Sequence, residues 1–330
     1  MIGGPIPSGG FPLSARAPGK CILFGEHAVV HGRPELLLAI DLHTQVLAAP
    51  SSEMRLNGSA SSLRENRYVA QAVDALWPPG ASPVEWRTLS RVPRSAGLGS
   101  SAALCSALAA TLLAAQGGAE RSALAEASFA IERGAQGVGS PGDTSASVAG
   151  GLVALNASEG PPLWEVADAE HRWIVRRIRD PGWIWVVAYS GVPRNTAETV
   201  RAVGRRLAEP DGPVLLERFE EVALGGVAAV LAEDRHATGQ RMDENHALLR
   251  EVGVSHPKLE SLLDAVRPAA EGAKLTGAGA GGSIVVLPKA GQEVECQRRL
   301  RRAGGQAFVV RADPRGAELV APPDEPTPSV

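Results

Sequence analysis

Between Pro93 and Ala103 the chain reads Pro-Arg-Ser-Ala-Gly-Leu-Gly-Ser-Ser-Ala-Ala. Gly97, Leu98, Gly99, Ser100 and Ser101 stand directly before an apolar helical run, Ala102 to Gln116. Glycine lets a backbone approach a ligand closely and adopt positive φ. A helix start presents unpaired N–H groups and the positive end of the dipole. A Gly-rich turn feeding a helix N-terminus is therefore an anion cradle, most often for phosphate. The spacing is neither Walker A, since no Lys follows the second glycine, nor GxGxxG. Taken alone, the loop reads equally well as a Gly-Ser cap on a buried helix.

The loop has company. Residues 17–32 read Ala-Pro-Gly-Lys-Cys-Ile-Leu-Phe-Gly-Glu-His-Ala-Val-Val-His-Gly, and residues 274–283 read Lys-Leu-Thr-Gly-Ala-Gly-Ala-Gly-Gly-Ser. Three such motifs in this order resemble the GHMP kinases, a superfamily of small-molecule phosphotransferases. Within it, the wording of residues 25–32 is similar to that of the mevalonate kinases. So are Val192-Pro193-Arg194-Asn195-Thr196, and Asn245-His246 ahead of Val252-Gly253-Val254. The resemblance spans about residues 15 to 310. It implies two α+β domains with nucleotide and substrate in the cleft between them, ATP and Mg²⁺ as cofactors, and mevalonate as the acceptor, phosphorylated on its 5-hydroxyl. It leaves a homodimer open.

Phosphoryl transfer needs charge neutralised on the phosphates, a metal and an oriented nucleophile. Asp143 follows Ser140-Pro141-Gly142, a sequence that reads as a tight turn presenting its carboxylate. The resemblance implies that it accepts or orients the proton of the substrate hydroxyl. Glu132 lies eleven residues earlier, near the end of a helix where the dipole disfavours it. The implied role is to bind Mg²⁺, with Ser101 as a hydroxyl ligand; a solvated Glu paired with Arg133 is the plainer alternative. Lys20 is implied to sit beside the catalytic Asp and to favour the transferring phosphoryl group. The resemblance places Glu26 and His27 in the substrate pocket, although His27 alone also reads as a hydrogen-bonded structural His. Arg194 and Thr196 are implied to place the substrate, with the Arg194 guanidinium available to pair with the substrate's carboxylate. Gly277 and Ala278 bring backbone to the same cleft, and Pro93 through Ala102 form the nucleotide loop.

Some positions depart from the family pattern. Phe24 replaces a residue that is often polar, and Ala280 stands where many relatives have Gly. The Ser-Pro-x-Asp-Thr form and modest length look more like the compact archaeal type. Other readings stay open: another GHMP kinase acting on phosphomevalonate or a sugar, a mevalonate-diphosphate decarboxylase-like lyase, or a non-catalytic nucleotide-binding regulator. The last would be expected to have lost Lys20, Glu132 or Asp143.

The 330 residues suffice for two domains, and 44% hydrophobic content supplies a core. Net charge is −3, from 33 basic and 36 acidic residues, which gives no electrostatic reason to expect nucleic acid or a membrane surface. Three cysteines, Cys21, Cys105 and Cys296, form neither a disulfide framework nor a metal-site spacing. Met1 to Pro12 lacks the features of a secretory signal, and no apolar run is long enough to span a bilayer. A soluble, cytoplasmic enzyme is expected.

The elements that must position these groups follow from periodicity and punctuation. Residues 1–13 read as a loose arm, and Arg16–Val30 and Leu36–Ala48 as strand regions. Residues 50–62 are Ser-rich and read as turn. Helical spacing covers Arg64–Leu76, Ala102–Gln116 and Ser122–Gln136, with Ser122 as N-cap. Val84–Arg91 and Val148–Leu155 read as strands, the latter bent at Gly150-Gly151. A polar stretch at Ala157–Asp168 suggests a division into domains 1–170 and 171–320. Beyond it come a strand within Gly182–Tyr189 and helices at Thr196–Ala208, Val214–Glu233, Met242–Val252 and Pro257–Val266. Strands at Ser283–Leu287 and Gln306–Val310 flank a helix at Glu293–Ala303. Residues 321–330, rich in Pro, read as a disordered tail. The mixed order without a strict βαβ period makes the class α+β.

Overall fold

The computed structural model describes residues 12–77, 80–137, 139–168, 171–193 and 196–322. Residues 1–11 of the expected arm, 323–330 of the expected tail, and Arg194 lie outside them. The chain opens with two long antiparallel strands, β1 (Leu13–Phe24) and β2 (Glu35–Pro50). A short β3 (Arg55–Leu56), helices α1 (Ala60–Glu65) and α2 (Arg67–Leu76), and β4 (Val84–Ser90) follow. Next come α3 (Ser100–Ala115), α4 (Arg121–Gln136), α5 (Gly142–Ala149), β5 (Leu152–Leu155), β6 (Pro162–Ala167) and β7 (Arg172–Ile178). The second half runs β8 (Trp185–Tyr189), α6 (Thr196–Leu207), α7 (Gly212–Leu231), α8 (Arg235–Glu251), α9 (Pro257–Val266), β9 (Ala270–Thr276), β10 (Ser283–Pro288), α10 (Glu293–Arg302) and β11 (Gln306–Val310). A final short strand, β12 (Glu318–Leu319), returns to β1.

Two sheets result. The first has eight strands in the order β12-β1-β2-β5-β7-β6, with β4 paired to β2 and β3. The second has four, in the order β11-β8-β10-β9. Helix α3 is apolar on nearly every side, and its residues from Ala102 to Leu112 are mostly buried. One hydrophobic cluster joins α3 and α4 to the first sheet. The other joins the opposite side of β1 and β2 to the second sheet and its helices. Phe24 belongs to the second cluster, and Gly226 on α7 makes room for it: a Cβ there would stand within 2.6 Å of the ring. The departure at Phe24 is thus matched by a glycine across the interface.

The structure corrects several expectations. The Ser-rich stretch holds β3 and α1. The expected helix from Arg64 is broken at Asn66, whose extended backbone lets its side chain accept from the Tyr68 and Val69 amides at 3.2 Å, capping α2. Glu120, not Ser122, occupies the N-cap of α4. The segment read as a turn at Asp143 begins a buried helix, α5, so β5 starts only after Gly150 and Gly151. Strand β9 carries Lys274, Leu275 and Thr276, the first residues of the third motif. Strands β6 and β7, on either side of residue 170, pair with each other, and the change of sheet comes between Ile178 and Trp185. Among the described residues, no helix is long and apolar enough to cross a membrane.

Candidate active site

Strand β1 delivers Lys20 to the start of α5. Its Nζ stands 2.9 Å from Asp143 Oδ1 and 3.5 Å from the Gly97 carbonyl. Lys20 is 1% exposed, whereas the Asp143 side chain is 32% exposed. The ammonium is therefore fixed in the protein while the carboxylate keeps an open side. The Lys20 amide donates to Leu98 O at 3.0 Å, tying the loop to the strand. Gly99 has φ 72°, and a Cβ there would meet Lys20 Cγ at 2.8 Å, so only glycine fits. Ser147 Oγ donates to Pro18 O at 2.7 Å and pins α5 against the same strand.

Helix α3 leaves its first backbone N–H groups without a side-chain cap. Gly99 is the N-cap, in the left-handed region. Ser100, which could have been the cap, is instead the first helical residue. Ser101 Oγ donates to Glu132 Oε1 at 2.6 Å, and Gln136 Nε2 donates to the same oxygen at 3.0 Å. Glu132 is buried, and its pairing with Arg133 does not occur; Arg133 binds Asp168. Burial first, then the charge of Asp143, push the Glu132 carboxyl up to about 7. A cation beside it would reverse that penalty. No group of three or more His, Cys, Asp or Glu gathers as a metal cage among the described residues. One carboxylate and one hydroxyl fit Mg²⁺, which takes its remaining ligands from phosphate and water.

Two cavities meet at Asp143. The larger, about 790 Å³, is lined by Asn66, Arg94, Ser95, Gly97, Gly99, Ser100 and Ser101 among others. The smaller, about 110 Å³, is lined by Lys20, Glu26, His27, Glu35, Glu132, Gly277 and Ala278 among others. Asp143, Gln136 and Thr196 border both. The first falls within the usual range of ligand pockets, about 300–1,000 Å³. Of the expected loop residues, Pro93, Leu98 and Ala102 do not line the larger cavity, and Leu98 and Ala102 are buried in the core.

Glu26 and His27 reach the smaller cavity, but each is also engaged by the second half of the chain. Glu26 is ion-paired with Lys274, and both are buried. Burial raises the Glu26 carboxyl and lowers the Lys274 ammonium, and their attraction opposes both shifts. His27 has φ 64° and its Nε2 lies 3.0 Å from Ala278 O. Ala280, the other departure, holds φ 57°, with its amide 2.7 Å from Val254 O. The cysteines match the core reading: all three are free and buried, and burial pushes the Cys21 thiol up to about 12.

Sequence reasoning missed Lys274, Glu35, Asn66 and Arg94. A lysine at the head of the third motif and an acid opening the apolar run Leu36–Ile40 were the available signals.

Comparison with known proteins identifies the family. The model of the GHMP kinases N terminal domain matches residues 67–151, and that of the GHMP kinases C terminal domain matches residues 227–306. The chain is 32% identical to a mevalonate kinase of Methanothermobacter thermautotrophicus, over 82% of this chain and 89% of the relative. It is 30% identical to a mevalonate kinase of Pyrococcus abyssi, over 92% and 97%. The solved structure of L. major mevalonate kinase in complex with R-mevalonate superposes with a TM-score of 0.75 at 23% identity, over 91% of this chain and 95% of that one. A glycine-capped helix start, a buried lysine on the first strand and two cavities sharing one aspartate thus sit on a shared fold: the chain belongs to the GHMP kinases.

Proposed function

We propose that the protein transfers the terminal phosphoryl group of ATP to the 5-hydroxyl of mevalonate. The observation that carries this reading is the Lys20–Asp143 pair at the junction of the two cavities. The relatives at 30–32% identity bear the name mevalonate kinase. The α3 N-terminus and the Gly97–Ser101 loop hold phosphate oxygens through backbone N–H groups. Glu132 and Ser101 would hold Mg²⁺, which when bound neutralises charge on the phosphates. Asp143 orients the acceptor hydroxyl and takes its proton, and Lys20 offsets the charge that builds on the transferring group. Thr196, bordering both cavities, helps to place the acceptor.

The intact Lys20–Asp143 pair argues against a regulator without activity. Release of ADP from Mg-ATP, assayed separately with mevalonate, phosphomevalonate, homoserine and galactose, tests the reading. Turnover is expected with mevalonate; turnover with another acceptor and none with mevalonate would refute it.

A further inference from the structure

Glu35 opens β2 as a lone acid at the head of an apolar run, and it is 2% exposed. Its backbone pairs with Leu155 of β5, which sets its side chain beside the start of α5. Gly142 makes the space: a methyl group there would overlap Glu35 Oε2. That oxygen is buried and has no hydrogen-bond partner. The residue nevertheless lines the smaller cavity with Lys20, Asp143 and Thr196. The other acids of that cavity are held by the protein: Glu26 by Lys274, Glu132 by Ser101 and Gln136, Asp143 by Lys20. A buried polar group left incomplete by the protein, on the wall of a ligand cavity, calls for a ligand atom.

We propose that Glu35 is a specificity-determining residue that hydrogen-bonds the second, non-reacting hydroxyl of the acceptor. The inference rests on the acceptor being mevalonate. Mevalonate carries its reacting hydroxyl on C5 and a tertiary hydroxyl on C3, two carbons away. The C3 oxygen of an acceptor whose C5 oxygen meets Asp143 is two carbons from the reacting atom, and Glu35 packs on Gly142, the residue preceding Asp143, in the same cavity wall. Burial and then the charge of Asp143 raise the Glu35 carboxyl well above the usual range. A carboxyl accepts a hydrogen bond from a hydroxyl in either protonation state. A site built to hydrogen-bond a substrate hydroxyl rejects analogues that lack it.

The test compares the full-length wild type, Glu35→Ala and Glu35→Gln on mevalonate and on 5-hydroxy-3-methylpentanoate, which lacks only the C3 hydroxyl. The wild type is expected to lose at least about tenfold in kcat/KM on the deoxy acceptor. Glu35→Ala should lose a similar factor on mevalonate, mainly through KM, and nothing further on the deoxy acceptor. Glu35→Gln keeps the shape and an acceptor oxygen and should retain most of the wild-type value. The KM for ATP should be unchanged throughout. Equal losses on the two acceptors in Glu35→Ala would mark a structural role and overturn the inference. If Glu35→Ala does not fold, a wild type that fails to distinguish the two acceptors overturns it as well. A failed acceptor assignment looks different: the wild type would use neither compound yet phosphorylate homoserine or galactose, and this contact would fall with that assignment.

Discussion

Lys20 Nζ and Asp143 Oδ1 lie 2.9 Å apart, the lysine sealed in the protein and the aspartate open on one side. Groups that act as one unit show strongly non-additive losses. Asp143→Asn should lower kcat by about two orders of magnitude, the usual scale for a positioned general base. KM values should change far less. Lys20→Met should also be severe, and the double variant should cost much less than the product of the two. Turnover measured in all three decides it; wild-type rates in Asp143→Asn would remove the aspartate from the mechanism.

Glu132→Gln should raise the Mg²⁺ concentration needed for half-maximal rate while leaving the KM for mevalonate nearly unchanged. The proposed load on this carboxylate is the metal, not the acceptor. A titration of rate against free Mg²⁺ that superposes on the wild type would count against the role.

The buried Glu26–Lys274 pair joins β9 to the turn after β1. Removing one partner strands the other charge, so Lys274→Met should destabilise the fold by about 3–5 kcal/mol. Adding Glu26→Gln should recover part of that loss. Urea unfolding midpoints of the two variants check the order; equal midpoints would show that the pair is not coupled.

Glu260 collects Arg250, Ser255 and His246, and these contacts, Arg250 foremost, hold its carboxyl down to about 2. A carboxyl lowered on folding stabilises above its unfolded value, near 4.5, and loses that contribution as pH falls toward 2. Stability should therefore drop across that window in the wild type and less steeply in Glu260→Gln. Urea midpoints collected from pH 5 downward compare the slopes, and parallel curves would contradict the prediction.

Local pattern made some of this legible and left the rest hidden. The buried helix after the Gly-rich loop is plain because Ala102–Gln116 has almost no polar face. Helix α5 is hidden because Pro141 and Gly142, usual turn residues, serve as its N-cap and first position. The Lys20–Asp143 pairing spans a third of the chain and Glu26–Lys274 most of it, and no periodicity reports contacts at such separations. For the first pair the family resemblance supplied the expectation. For the second it pointed to Glu26 and the cavity but not to Lys274, which stands inside β9.

The return of β12 to β1 bears on how the chain is made. Ala15 and Arg16 pair with Leu319 and Glu318, and Asp313 nearby binds His43 at 2.7 Å and the Ala39 carbonyl at 2.9 Å. The outer edge of the first sheet is thus closed by almost the last residues described. A ribosome adding about 5–20 residues per second leaves that edge uncovered for roughly 15–60 s after β1 has been made. Unpaired strand edges template wrong pairings. The first sheet is therefore exposed to misassembly between nascent chains on one messenger, and a chain stopped after Val310 would carry that open edge permanently.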